Sequence, residues 1–324
     1  MIEVENLTKF YGPTAAIEDV SFTVDRGQIV GFLGPNGAGK TTTLRILAGY
    51  LPATRGTARV AGFDVFKESL AVRRRLGYLP ENVPLYPEMR VRTYLDFVAE
   101  VKGVPRPERA RRVAAAMERC RVDDAANHLI GTLSRGYRQR VGIAQAILHD
   151  PEVILLDEPT VGLDPKQIIE IRQLIRELAG QRTVILSTHI LPEVEMICQR
   201  VIIINQGKIV AVDTPENLKA KVRTSATVLV QVDGPAAEVR EQLQRVAGVL
   251  RVEERPDRAD GRIRYLVQCA LHRDLRRDLA AAVVGRGWGL YELRPADVML
   301  EEVFIRLVTE ELPHEQPTGQ EGEQ

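Results

Sequence analysis

The chain has 324 residues, with 44 Lys+Arg against 44 Asp+Glu, so its formal net charge is zero. That balance argues against the basic footprint of a nucleic-acid binder, while 44% hydrophobic residues match an ordinary globular protein with a sizeable core. No apolar run approaches the roughly 18 residues needed to cross a bilayer, and the opening Met1-Ile2-Glu3-Val4-Glu5 lacks the basic start of a secretion signal. The length predicts about two domains. Cys120, Cys198 and Cys269 lie far apart with no C-x-x-C pair, so they are expected to be reduced and mostly buried rather than metal-binding.

Residues 2–7 and 17–24 alternate apolar and polar, which predicts strands of an antiparallel layer. Tyr11 lies between them, where its ring would either stack on an adenine or cover a sheet edge. Gln28–Leu33 reads as a short buried strand. It runs into Gly34-Pro35-Asn36-Gly37-Ala38-Gly39-Lys40-Thr41, which fits G-x-x-x-x-G-K-[ST], the phosphate-binding loop. The glycines let backbone amides approach an anion, and a helix starting near Lys40 adds partial positive charge at its N-terminus. Lys40 is placed to reach the β/γ-phosphates, and Thr41 offers a hydroxyl to Mg²⁺. Thr42–Ala48 carries on as a helix, and Gly56–Gly62 reads as a strand and turn.

A short apolar run, Leu76–Leu79, ends in Pro80 and the carboxylate of Glu81. From about 82 to 145 the chain is Pro-punctuated and otherwise helical, with helical spacing over Val91–Val101 and Glu108–Arg121. This predicts an all-helical insert in an α/β frame. At its end, Ser134 is well placed as an N-cap, and with Gly136 it forms a helix start able to contact a phosphate. Val153–Leu156 is a buried parallel strand with Asp157 and Glu158 at its C-terminal end, where open α/β sheets place their ligand chemistry. Asp157 is expected to hold the Mg²⁺ water shell, and Glu158 to polarise an attacking water. Gly162–Pro165 predicts a tight turn and then a helix to about Gly180. Thr183–Thr188 is a second buried strand ending in His189, a residue able to hydrogen-bond a γ-phosphate. Residues 201–211 read as a closing hairpin.

From about 223 the pattern becomes β-α-β-β-α-β over 227–293, which predicts a small ferredoxin-like α+β domain. Val298–Val308 follows as an amphipathic helix, and the Pro- and Glu/Gln-rich residues 311–324 as a disordered tail. The expected domains are therefore 1–222, with its helical subdomain at about 82–145, and 223–310.

The order of these motifs resembles the ATP-binding subunit of ABC transporters over about residues 2–220. That resemblance implies a P-loop NTPase fold with a RecA-like core, and ATP and Mg²⁺ as cofactors. Tyr11 matches the adenine-stacking loop, Gly34–Thr41 the Walker A motif with Thr42 beside it, and Val153–Glu158 Walker B with its catalytic Glu. Leu133–Arg140 sits at the ABC signature, Asp164 at the D-loop and His189 at the switch His. Two positions depart from the family pattern. The signature reads Leu133-Ser134-Arg135-Gly136-Tyr137 instead of Leu-Ser-Gly-Gly-Gln, and Glu81 replaces the Q-loop Gln, adding negative charge near Mg²⁺ and the γ-phosphate. These departures and the Leu300–Leu307 ending resemble the ATPases of ABC-2-type exporters, close to gliding-motility-associated and drug-resistance ATPases.

In that family two subunits pair head to tail, so Ser134 and Gly136 would serve the ATP held by the partner's Lys40. The resemblance further implies separate membrane permease chains, a peripheral place on the inner face of the cell membrane, and an accessory C-terminal domain. Both half-sites are complete here, which points to a homodimer, and Glu81–Arg92 is the candidate permease contact. A soluble ABC ATPase and an ATP-gated assembly or regulatory module stay open as alternatives. No nucleic-acid partner is expected.

Overall fold

Alternating burial opens the chain as two long strands, β1 (Ile2–Tyr11) and β2 (Thr14–Val24), paired antiparallel with Ile2 opposite Val24. Next come β3 (Ile29–Leu33), helix α1 (Lys40–Leu47), β4 (Arg55–Val60) and β5 (Phe63–Asp64). The first four-stranded sheet runs β2-β1-β4-β5. The chain continues through α2 (Ser69–Arg75), β6 (Leu76–Leu79), α3 (Val91–Val101), α4 (Arg106–Arg119), a 3-10 turn at Ile130–Thr132, and α5 (Arg135–Ile147). It returns with β7 (Val153–Asp157), α6 (Pro165–Ala179), β8 (Thr183–Thr188), α7 (Leu191–Ile197), β9 (Arg200–Asn205), β10 (Lys208–Asp213) and α8 (Pro215–Val222). In this computed structural model the described residues are 1–180, 182–222, 226–259, 262–270, 274–295 and 300–309.

The second sheet has six strands in the order β10-β9-β3-β8-β7-β6. All its neighbours are parallel except the β9–β10 edge hairpin. Strands β3, β7 and β8 are buried along their whole length, as expected for parallel strands covered on both faces. One apolar core joins the two sheets: Ile2, Val4, Ile17 and Phe22 pack with Phe32, Leu155, Ile185 and Ile202. The Phe22 and Phe32 rings stand 5.6 Å apart. Helices α3, α4 and α5 occupy the stretch expected to be a helical insert, and α3 buries Val91, Tyr94, Leu95, Val98 and Ala99 on one stripe.

The register brings the functional loops to one edge. Leu33 lies opposite Thr188, and Asp157 opposite Ser187, so the loops after β3, β7 and β8 leave the sheet at one level. Strand β6, next to β7 with Leu79 opposite Leu156, delivers Glu81 there as well.

By its contacts the chain divides into a unit holding Met1–Pro215 together with the residues from Arg306 on, and another holding Glu216–Ile305; the expected boundary was 222/223. The second unit takes in α8 from Glu216, β11 (Ala226–Val232), α9 (Ala236–Gln244), β12 (Val249–Ala259), β13 (Arg262–Cys269), α10 (Arg276–Val284), β14 (Leu290–Pro295) and the first part of α11 (Leu300–Thr309), which crosses the division at Ile305. Its sheet is antiparallel in the order β12-β13-β11-β14. Val228, Val230, Tyr265 and Val267 form its core with Val239, Leu243, Leu279 and Val283 from α9 and α10. Strand β12 runs longer than the predicted 249–253 because its pairing with β13 continues through Glu254 and Arg255, charged residues that hide the strand signal in the sequence. The predicted tail at 311–324 lies outside the described residues. All three cysteines are buried and unpaired. No described helix is long and apolar enough to cross a membrane.

Candidate nucleotide site

The turn from β3 into α1 is a backbone cradle. A Cβ at Gly34 would sit 2.4 Å from the Ile204 carbonyl oxygen. Gly39 has φ of 106°, and a Cβ there would lie 2.5 Å from Ile17 Cγ2. Only glycine fits either position without displacing backbone or core. The loop is tied to the β9–β10 turn by the Gly207 N–H, which donates to the Ala38 carbonyl at 3.0 Å. Helix α1 has no side-chain cap on Gly39, so its first amides remain available to an anion.

A cleft beside this loop is lined by Ala16, Asn36–Thr42, Glu81, Glu158, Val161 and His189. Lys40 and Glu158 are both over nine-tenths buried, with Lys40 Nζ 3.3 Å from Glu158 Oε1. The Lys40 ammonium also donates to the Gly34 carbonyl at 2.7 Å and the Pro35 carbonyl at 3.1 Å. Glu158 Oε2 lies 2.9 Å from His189 Nδ1. Three side chains carried by the segments after β3, β7 and β8 thus meet in one row, joined by an ion pair and a hydrogen bond.

Asp157 lies at the foot of the cleft, fully buried. Its Oδ1 accepts from Ser187 Oγ at 2.6 Å and Thr41 Oγ1 at 3.2 Å, while its Oδ2 has no hydrogen-bond partner. Burial pushes its carboxyl above the usual range; the Ser187 and Thr41 hydroxyls oppose this, and the Glu81 and Glu158 charges add to it. Ser187 does more than hold Asp157: its Oγ also accepts the Glu158 N–H at 2.9 Å. Glu158 is held at φ of 49°, the left-handed region that a non-glycine residue occupies at a cost. The sequence pattern does not single out Ser187, because a serine inside an apolar strand looks like an ordinary buried hydroxyl.

The other sequence-predicted residues stand apart from this row. Tyr11 ends β1 instead of sitting in a loop; it is half exposed, with Lys9 Nζ 5.5 Å from its ring centre. Ser134 caps α5, accepting the Tyr137 N–H at 3.3 Å. A Cβ on Gly136 would meet the Gln167 side chain at 2.5 Å. Asp164 caps α6, accepting the Gln167 N–H at 2.9 Å. The Arg135 guanidinium fills the space a side chain at Gly162 would need, with Nη1 2.2 Å from an added Cβ. The α5 and α6 starts are therefore packed against each other, outside the cleft that holds Lys40.

A protein-family model described as "ABC transporter" matches residues 17–161, a span that includes the phosphate loop, Ser134, Asp157 and Glu158. The chain is 30% identical over 310 residues to the linearmycin resistance ATP-binding protein LnrL of Bacillus subtilis, covering 95% of this chain and 98% of LnrL. It is 32% identical over 310 residues to the bacitracin transport ATP-binding protein BcrA of Bacillus licheniformis, covering 95% and 97% of the two chains. Alignments of that length extend into the second unit. Among solved structures, the dimeric post-hydrolysis state of the ATP-binding cassette MJ0796 bound to ADP and Pi superposes with a TM-score of 0.61 at 27% identity, over 66% of this chain and 98% of that one. The cradle, the paired acids and the full-length kinship agree: this chain belongs to the ABC transporter family, as an ATP-binding subunit that hydrolyses ATP.

Proposed function

We propose that this chain powers export through a separately encoded membrane permease, as one half of a head-to-tail homodimer on the inner face of the cell membrane. The observation that carries this reading is the split of the site. Lys40, Thr41, Glu158 and His189 share one cleft, while Ser134, exposed at the start of α5, and Gly136, buried against Gln167, lie outside it, which leaves their proposed phosphate contact to a nucleotide held by another copy. The dimeric MJ0796 cassette supports the pairing, and the resistance and transport names of LnrL and BcrA support export.

In this reading ATP lays its phosphates on the amides of 36–41, and Lys40 exchanges its carbonyl partners and Glu158 for β/γ-phosphate oxygens. Glu158 then takes a proton from the attacking water, whose oxygen bonds to the γ-phosphorus as the bond to ADP breaks. His189 Nδ1 faces Glu158, which leaves Nε2 for a γ-phosphate oxygen. The chain's donors also suit Mg²⁺: Asp157 Oδ2 is buried and unpartnered, and the Thr41 hydroxyl adjoins the same carboxylate. When bound, Mg²⁺ neutralises charge on the phosphates. Thr41 and Asp157 would hold it, with Glu81 beside them. Tyr11 is assigned to the adenine and Asp164, as the D-loop residue, to the nucleotide. We read the second unit as a ferredoxin-like accessory module from its β-α-β-β-α-β order.

The segment Glu81–Arg92 and the start of α3 form the proposed permease contact. There Tyr86 (48% exposed) stands edge-on, 6.0 Å from both Tyr94 and the exposed Phe97. Exposed aromatics clustered this way mark an interaction surface. Reversing charge within 81–92, together with Phe97→Asp, is expected to abolish co-purification with the permease. Unchanged capture would remove this surface from the docking site.

A further inference from the structure

Glu193, on α7, is a fully buried acid outside the cleft. Its Oε2 accepts two hydroxyls, Thr160 Oγ1 at 2.9 Å and Thr188 Oγ1 at 3.0 Å, and its Oε1 lies 3.4 Å from Arg172 Nη2 on α6. A buried carboxylate persists only where such partners offset its lost hydration. The two hydroxyls come from next to the residues that carry the chemistry, Thr160 from the loop after β7 and Thr188 from the end of β8. Thr160 is two residues beyond Glu158, and Thr188 immediately precedes His189. Thr188 Oγ1 also accepts the Ile190 N–H at 3.0 Å, so one hydroxyl links the residues on either side of His189.

We propose that Glu193 is a positioning residue for ATP hydrolysis: one buried carboxylate ties the Glu158 loop to the His189 loop and sets the 2.9 Å contact between them. The geometry calls for such a tie. Glu158 occupies left-handed backbone space, which holds only where its surroundings over-determine it. Ser187 fixes its amide from the β8 side, while Thr160 and Glu193 hold the outgoing chain. None of Thr160, Arg172, Thr188 and Glu193 lines the nucleotide cleft, so the network acts through its neighbours and not on the phosphates. The proposal rests on the reading that Glu158 and His189 act together at the γ-phosphate.

The test uses the full-length protein carrying Thr188→Val, Thr188→Ser or Glu193→Gln, each in wild-type and His189→Ala backgrounds. Valine keeps the shape of threonine and removes the hydroxyl. Glutamine keeps the shape of glutamate but turns an amide toward either Arg172 or the hydroxyl pair. Thr188→Val and Glu193→Gln are expected to lower kcat by about 10–100-fold, as small misplacements of reacting groups do, with KM within about threefold of wild type. Thr188→Ser should recover most of the lost rate. In the His189→Ala background Thr188→Val should cost less than about threefold, because residues acting as one unit are non-additive. Side-chain nitrogen shifts of His189, read by NMR without turnover, should move in Thr188→Val and return in Thr188→Ser. Equal losses in both backgrounds, a rise in KM matching the fall in kcat, or unmoved His189 shifts would overturn the proposal. Full turnover in His189→Ala would instead overturn the reading beneath it.

Discussion

Replacing Glu158 by glutamine is expected to lower ATP turnover by about 10²–10⁴-fold, the range of a lost general base. The loss should be chemical and not a failure to fold. Lys40 keeps its bonds to the Gly34 and Pro35 carbonyls at 2.7 and 3.1 Å, and the glutamine oxygen can still accept from it. The Glu158 amide remains on Ser187, so the backbone at 158 is held as before. Nucleotide binding should therefore survive, and with hydrolysis blocked the variant should accumulate as an ATP-dependent dimer. Size measurement with and without Mg²⁺-ATP checks both statements. Wild-type turnover in Glu158→Gln would assign the base elsewhere.

Asp157→Asn is expected to separate stability from activity. Asp157 is buried with one oxygen unpartnered, and burial raises its carboxyl above the ordinary range. A carboxyl raised in the folded state binds its proton more tightly than the unfolded chain does. Its ionised form therefore costs stability at neutral pH, and that cost fades as pH falls through the raised folded value and is gone by the ordinary carboxylate range. In buffer free of nucleotide and Mg²⁺, the asparagine variant should thus melt above wild type at pH 7, with the gap closing toward pH 4. Its turnover should fall by about 10²–10³-fold, the scale for losing one preorganised electrostatic group, and should demand more Mg²⁺. Wild-type turnover at wild-type Mg²⁺ demand would take Asp157 out of the metal's surroundings. This is a functional site carrying a stability cost.

The cleft was legible because its parts are local patterns. A glycine-rich loop between strand and helix, or two acids after an apolar strand, can be read in a short window of sequence. The parallel strands β3, β7 and β8 could be read for the same reason, since burial on both faces leaves continuous apolar runs. What escaped depends on pairing across the sheet. Ser187 matters because it lies opposite Asp157, and Glu193 because α7 brings it under two hydroxyls from distant segments. Neither fact is present in any one segment. Helix α2 was hidden as well: Ser69–Arg75 buries only Val72, too little to mark a helical face. Tyr11 escaped differently, since the pairing of β1 with β2 runs on to Tyr11 and Thr14 and makes a strand end of an expected loop.

The central claim is a site shared between two copies, and mixing two inactive variants tests it most directly. Lys40→Ala removes the phosphate-binding ammonium. Ser134→Arg fills the α5 start with a bulky side chain, at the cost of one helix cap, about 1 kcal/mol. In a head-to-tail dimer of one of each, one site carries both defects and the other carries neither. Each variant alone should be inactive. An equal mixture should recover roughly a quarter of the wild-type rate, since half of the dimers are mixed and each of those has one intact site of two. A mixture that stays inactive, although mixed dimers form by mass, would contradict the shared site.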